Sequence, residues 1–194
     1  HQDFVIANAG THDPANDFVT ITYGRGDGTF EPAVALEVGN GPFDVAVGDM
    51  DGDGHNDLVA GNFGTPISGA EYAGGDTVSV LMGEGERQFA PAWHLPGGDG
   101  PNQVALADLN GDGFLDIAMA ERGNFDFGRR EAVGGGAVAV LLSDGGGGFH
   151  GTRKFDQGAS LTGVTLVDLN QDGVADLIAT VHDDRRVKTL VQRP

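Results

Sequence analysis

Apolar residues in this chain recur with a period of two, in short bursts closed by glycine and aspartate. Examples are Phe18-Val-Thr-Ile-Thr-Tyr23, Phe43-Asp-Val-Ala-Val-Gly48, Thr77-Val-Ser-Val-Leu-Met82, Gln103-Val-Ala-Leu-Ala107, Ala137-Val-Ala-Val-Leu-Leu142 and Gly163-Val-Thr-Leu-Val167. A period of two places alternate side chains on opposite faces of an extended strand. Between some bursts lie brief unbroken apolar runs, Leu58-Val-Ala, Ile117-Ala-Met-Ala and Leu177-Ile-Ala-Thr, short enough for strands. No stretch sustains a helical period. With β-branched content and Gly/Asp turns throughout, the pattern predicts an all-β chain.

The bursts repeat. Asp49-Met-Asp-Gly-Asp-Gly-His-Asn-Asp57, Asp108-Leu-Asn-Gly-Asp-Gly-Phe-Leu-Asp116 and Asp168-Leu-Asn-Gln-Asp-Gly-Val-Ala-Asp176 share the pattern D-x-[DN]-x-D-G-x-x-D, and their first residues lie 59 and 60 positions apart. An alternating strand (A) precedes each loop and an apolar strand (B) follows it. A third strand (C) comes next, then a Gly-rich turn and a weaker fourth strand (D), as in Gly24-Arg-Gly-Asp-Gly-Thr-Phe30 leading to Ala33–Val38. Four strands per repeat of this length is the mark of a β-propeller blade; a β-helix would need much shorter repeats. Two long B–C connections, 61–76 and 121–136, account for the extra length.

His1-Gln-Asp3-Phe-Val-Ile-Ala-Asn8 aligns with His55-Asn-Asp57-Leu-Val-Ala-Gly-Asn62, so Asp3 is the remnant of a fourth acidic loop. The strand order reads BCD, ABCD, ABCD, ABC. We expect one repeat domain over residues 1–194, with units near 1–42, 43–102, 103–162 and 163–194. That is about three and a half blades, read here as an arc of a larger propeller of about seven.

Composition narrows the function classes. The chain has 194 residues, with 29 acidic against 11 basic side chains and a formal net charge of −18. Such a balance disfavours nucleic-acid binding, which needs a positive face. The absence of cysteine excludes disulfide staples and thiolate metal sites. No apolar run approaches the roughly 20 residues of a membrane helix.

Ten of the 29 acidic residues lie in the three loops. Oxygen-rich, cysteine-free donor sets select hard cations, and calcium tolerates irregular six- to eight-fold coordination where magnesium demands an octahedron. The candidate ligands are Asp49, Asp51, Asp53 and Asp57; Asp108, Asn110, Asp112 and Asp116; and Asp168, Asn170, Asp172 and Asp176. The backbone carbonyls of His55, Phe114 and Val174 at position 7 complete the set. Gly54, Gly113 and Gly173 at position 6 permit the sharp turn. An EF-hand needs Glu at position 12 and helical flanks; Ala60, Met119 and Ala179 stand there, between strands. The expectation is three structural Ca²⁺ sites, bringing the formal charge from −18 to −12.

These repeats resemble the FG-GAP/VCBS repeats of integrin α-type β-propellers, and Gly26-Asp-Gly-Thr-Phe30 resembles that family's C–D turn, as do Gly145–Phe149 and Gly85–Phe89 less closely. The resemblance covers nearly the whole chain and implies calcium-binding A–B hairpin loops. Gln171 replaces glycine at position 4 of the third loop, a departure expected to matter little.

In a propeller the A–B and C–D turns share one face, and the B–C and D–A connections share the other. The long B–C loops carry Phe63, Tyr72, Phe125, Phe127, Arg129 and Arg130. Aromatic and arginine residues on loops suit recognition. Tyr72, Phe127, Arg129 and Arg130 are the candidate ligand contacts, while Phe63 and Phe125 read as packing beneath the loop and Trp93 as packing between blades. No nucleophile elbow, H-E-x-x-H or phosphate loop is present, which points away from an enzyme. The reading is an extracellular or periplasmic, non-catalytic adhesion or recognition module for protein or glycan. The alternatives are a structural subunit that self-associates through its end strands, or a polysaccharide lyase or hydrolase.

Overall fold

The computed structural model of the protein describes residues 1–9, 17–66, 72–73, 75–126, 131–155, 161–181 and 186–190. Each alternating burst forms a strand, and the Gly/Asp breaks reverse the chain. The first sheet holds β1 (Phe4–Asn8), β2 (Phe18–Thr22) and β3 (Val34–Glu37). The second begins with β4 (Pro42–Gly48) and β5 (Asp57–Asn62). Its B–C connection carries a two-stranded ribbon of β6 (Thr65–Pro66) and β7 (Tyr72–Ala73). Then come β8 (Thr77–Leu81), the C–D ribbon β9 (Gly83–Gly85) with β10 (Gln88–Phe89), and β11 (Trp93–Pro96).

The third sheet repeats this plan with β12 (Pro101–Ala107), β13 (Asp116–Glu121), β16 (Ala137–Ser143) and β17 (Phe149–Phe155); β14 (Asn124–Asp126) and β15 (Glu131–Gly134) form its B–C ribbon. The fourth holds β18 (Leu161–Val167), β19 (Asp176–Val181) and β20 (Arg186–Leu190). The four sheets have three, four, four and three strands, all antiparallel to their neighbours and in chain order. This is the predicted order BCD, ABCD, ABCD, ABC. The sheets are blades of a β-propeller arc.

The B strands β5 and β13 are buried along their whole length because both faces are covered. Leu58 and Ala60 of β5 pack on Val19 and Ile21 of the first sheet, while Val59 packs on Val104, Ile117 and Met119 of the third. Ala118 and Ala120 pack on Val164, Leu177 and Ala179 of the fourth. A strand covered on two faces reads as an unbroken apolar run, which explains the runs after each acidic loop.

Polar side chains also link the blades. A bulge near the start of β4 and of β12 turns a side chain toward the next sheet. There Asp44 accepts the Val104 N–H at 3.0 Å, and Gln103 accepts the Val164 N–H at 2.9 Å. At the rim the Trp93 ring lies 6.0 Å from Phe149 of the third sheet, the inter-blade packing expected of it.

At one end of the strands the B–C connections bond to the D–A connections: Phe63 and Gly64 donate to Gly41 and Asn40, and Arg122 and Gly123 donate to Gly100 and Asp99. Phe63 is buried there, 5.6 Å from the Phe43 ring and 5.7 Å from the Arg122 guanidinium. The Phe125 side chain lies outside the described set. The opposite end holds the acidic loops.

Candidate metal centre

Each acidic loop is folded by its own carboxylates. In every loop the first Asp accepts the backbone N–H groups at positions 4 and 6. These are Gly52 (2.8 Å) and Gly54 (3.0 Å) for Asp49, Gly111 (2.7 Å) and Gly113 (2.8 Å) for Asp108, and Gln171 (2.6 Å) and Gly173 (2.9 Å) for Asp168. Positions 3 and 5 each accept the N–H two residues on. Four successive peptide N–H groups, at positions 4 to 7, are thereby wound around the loop's side chains.

Asp57 and Asp116 at position 9 have a second task. Their Oδ2 atoms accept the N–H of Met50 (2.7 Å) and Leu109 (2.8 Å) at the loop entry. Their Oδ1 atoms accept the N–H of Gly83 (2.7 Å) and Ser143 (2.8 Å), where strand C passes into the C–D turn. One buried carboxylate therefore clamps the A–B loop to the C–D turn. Asp3 makes the same bond to Gly24 at 2.8 Å, as its alignment with Asp57 predicts.

The side chain at position 7 covers the facing turn. His1, His55 and Phe114 lie on Gly26, Gly85 and Gly145 respectively. At Gly145, with φ +73°, a Cβ would collide with the Phe114 ring. Glycine is required there by conformation and by space.

In the first loop, Asp49, Asp51 and Asp57 offer carboxylate oxygens all within 4.8 Å of one another. Asp53 stands outside this trio. In the other two loops asparagine at position 3 donates through Nδ2 to the position-5 aspartate, Asn110 to Asp112 and Asn170 to Asp172, both at 2.8 Å. An amide there relieves by hydrogen bonding what a fourth carboxylate would worsen by repulsion.

The charges respond accordingly. Burial pushes the Asp57 carboxyl above its ordinary value; the Gly83 and Met50 N–H groups oppose this, and the charges of Asp51 and Asp53 add to it. Burial likewise raises Asp116, against the Ser143 and Leu109 donors and with Asp112 and Asp108 adding. Slight burial works to raise Asp108 too, but four backbone N–H donors outweigh it and hold that carboxyl below the usual range.

Position 4 is left-handed in every loop, with φ +75° at Gly52, +77° at Gly111 and +62° at Gln171. The substitution in the third loop is therefore a strained one, not a neutral one. A side chain in this region costs about 1 kcal/mol. Gln171→Gly is expected to raise the melting temperature by roughly 1–3 °C, net of glycine's larger unfolded-state entropy. Calorimetry showing no rise would refute the strain.

Of the ligand-contact candidates, Tyr72 falls in β7 of the B–C ribbon, while Phe127, Arg129 and Arg130 lie outside the described residues. Sequence reasoning missed Glu121, a fully buried carboxylate at the end of β13, whose Oε2 accepts from Lys154 Nζ at 2.7 Å. Its counterpart in the second sheet is Asn62, which donates to the hydroxyls of Thr77 and Ser79 at 2.9 Å each. A charged residue closing an otherwise apolar B strand was the available signal.

Sheet order, repeated loops and clamped turns together define an FG-GAP-type β-propeller. Residues 1–60 and 67–119 match the FG-GAP-like repeat family, and residues 100–141 match the FG-GAP repeat. The chain belongs to the FG-GAP repeat family, of the integrin α type. A stretch of 82 residues is 37% identical to integrin alpha-3 of Mus musculus, covering 38% of this chain and 7% of the integrin's length.

Proposed function

We propose that this chain is an extracellular, non-catalytic recognition module whose three acidic loops hold structural Ca²⁺. The observation that carries the metal is the meeting of Asp49, Asp51 and Asp57 within 4.8 Å, in a loop pattern present three times. The donors fit a hard cation, since all are oxygens and none is a thiolate or imidazole. Asp49, Asp51 and Asp57 would hold the ion in the first loop, with Asp53 and the His55 carbonyl as further donors. The Asp/Asn sets of the other loops would serve likewise. A bound dication supplies charge that offsets the mutual repulsion of these carboxylates. The chain's own part is to keep them oriented through the loop N–H groups.

Calcium loops of this kind suit an environment where the ion is abundant, and the similarity to an integrin α subunit supports an adhesion role outside the cell. The ligand, a protein or a glycan, is assigned to the face opposite the acidic loops, with Tyr72, Phe127, Arg129 and Arg130 as contacts.

Melting curves in millimolar Ca²⁺ and in EGTA test the metal. An ion at about 100 times its dissociation constant stabilises the native state by about 2.7 kcal/mol per site. For a chain of this size, that is roughly 5–10 °C per site. Superimposable curves would overturn the assignment.

A further inference from the structure

The outer parts of the first two blades enclose a cavity of about 300 Å³. Its lining is largely apolar, with Leu36 of β3 on one side and Leu81, Phe89 and Pro91 of the second blade on the other. The rim between the second and third blades is built differently. There Trp93 lies 6.0 Å from Phe149, and Lys154 is committed to the buried Glu121. Strand register makes Val34 the equivalent of Trp93, and His94 the equivalent of Lys154. The first pair of blades therefore has neither the indole nor the ion pair at its rim. His94 also lines the cavity and is held from beneath. Ser79 Oγ already accepts the Gly39 N–H and the Asn62 amide, both at 2.9 Å, so its own hydrogen is left for His94 Nδ1 at 3.0 Å. The neutral ring then carries its hydrogen on Nε2, as a donor for an incoming carbonyl.

Beside the cavity runs the edge of β3, the last strand of its sheet. Among the described residues no backbone bond outside the sheet engages Val34–Glu37, and all of these but Leu36 are exposed. Outer strands are ordinarily defended by proline or by basic side chains. β11 carries Pro96 and β17 carries Arg153 and Lys154, but β3 carries neither kind, and its one charge is Glu37. Blades of a propeller succeed one another face to face, so a further blade would not lie over this outer edge. Charge narrows the occupant. Residues 1–102, the first two blades, hold 16 acidic and 2 basic side chains, which is −14 of the chain's −18. One of those two, Arg87, is already paired with Glu31. A second copy of so acidic a chain would be repelled, and a basic partner would be attracted.

We propose that the edge of β3 takes an extended basic segment of a partner protein as an added outer strand of the first blade. Main-chain hydrogen bonds to β3 would fix the segment. Its alternate apolar side chains would enter the cavity on the face where Leu36 lies. The lysine or arginine side chains between them would fall on the opposite face, with Glu37, because successive side chains of a strand alternate. His94 Nε2 would donate to a carbonyl of the segment. This surface lies at the outer rim and stands independently of the ligand face assigned above.

Fluorescence anisotropy with the labelled peptide K-V-K-L-K-V-K, titrated with the 194-residue chain in millimolar Ca²⁺, tests this. Saturable binding is expected. Two altered peptides should each bind at least about tenfold more weakly: E-V-E-L-E-V-E, which reverses the charge, and K-V-K-N-K-V-K, which brings an amide to the cavity. Glu37→Lys gives β3 the basic defence it lacks and should weaken binding at least about threefold. Its melting curve should not change, because Glu37 is exposed. Hydrogen exchange of the wild-type chain locates the contact and does not depend on that variant folding. Addition of K-V-K-L-K-V-K should slow exchange in residues 33–38 and 89–94. Absence of saturable binding would overturn the proposal. So would equal binding of the altered peptides, or protection confined to the acidic loops or to the B–C connections.

Discussion

Replacing Asp116 by alanine is expected to destabilise the protein by about 3–5 kcal/mol, a fall in melting temperature of roughly 6–20 °C for a chain of this length. The carboxylate is buried, and both oxygens are used. Without it the N–H groups of Leu109 and Ser143 lose their acceptor in a site with little access to water. A bond to a charged partner contributes about 1.5–3 kcal/mol, and a buried donor left unmatched carries its full desolvation cost. Against this, the alanine removes a charge whose burial is itself unfavourable, as the raised pKa of Asp116 shows. The two lost donors outweigh that gain. Asp116→Asn should recover only part of the loss, because one of its two polar atoms would set N–H against N–H. Chemical denaturation of the three proteins in EGTA isolates the clamp from any metal effect. A loss below 1 kcal/mol for the alanine variant would show that the clamp contributes little.

The second large effect concerns the pair of Glu121 and Lys154. Glu121 is 0% exposed, while the Lys154 side chain keeps 31% of its exposure. Lys154→Met should cost about 3 kcal/mol, at the lower end for a broken buried pair because water reaches the lysine side. The double variant Glu121→Gln/Lys154→Met should recover most of this, since no charge is then left without a partner. Burial raises the Glu121 pKa above the ordinary 4.5, although the Lys154 hydrogen bond, its charge and the Asp99 backbone pull it back. A raised carboxyl means that the native state binds the proton more tightly than the unfolded state does. The penalty is absent below the ordinary value, grows as pH rises through the raised one, and is complete above it. Glu121→Gln should therefore gain on the wild type as pH climbs from about 4.5. A stability difference between the two that does not vary with pH would contradict the shift.

Much of this architecture can be read along the chain because it is local. The strands follow from a period of two, the turns from Gly and Asp, and the repeat from acidic loops 59 and 60 residues apart. Even Asp3 was recognisable as the last residue of a loop, since its neighbours copy those of Asp57. The geometry inside each loop is equally local. Asp108 bonds only to amides two to five residues away, so the spacing D-x-N-x-D-G already contains the fold of the turn. The left-handed φ of Gln171 was harder to see. Glycine at that position in two loops hinted at it, but only the backbone shows that the glutamine takes the same conformation.

What escaped sequence reasoning joins residues far apart. Asp57 and Gly83 are 26 positions apart, Glu121 and Lys154 are 33, and Asp44 and Val104 are 60. A motif can mark an aspartate as a metal ligand, but it cannot show that the same carboxylate also caps a neighbouring turn. Composition placed Glu121 among 29 acidic residues; the packing of three strands made it a buried charge needing a lysine. Whether an apolar strand residue such as Leu58 or Val138 is core depends on a sheet lying against it. Strand, turn and loop were thus set by neighbours in the chain, while burial and clamping were set by neighbours in space.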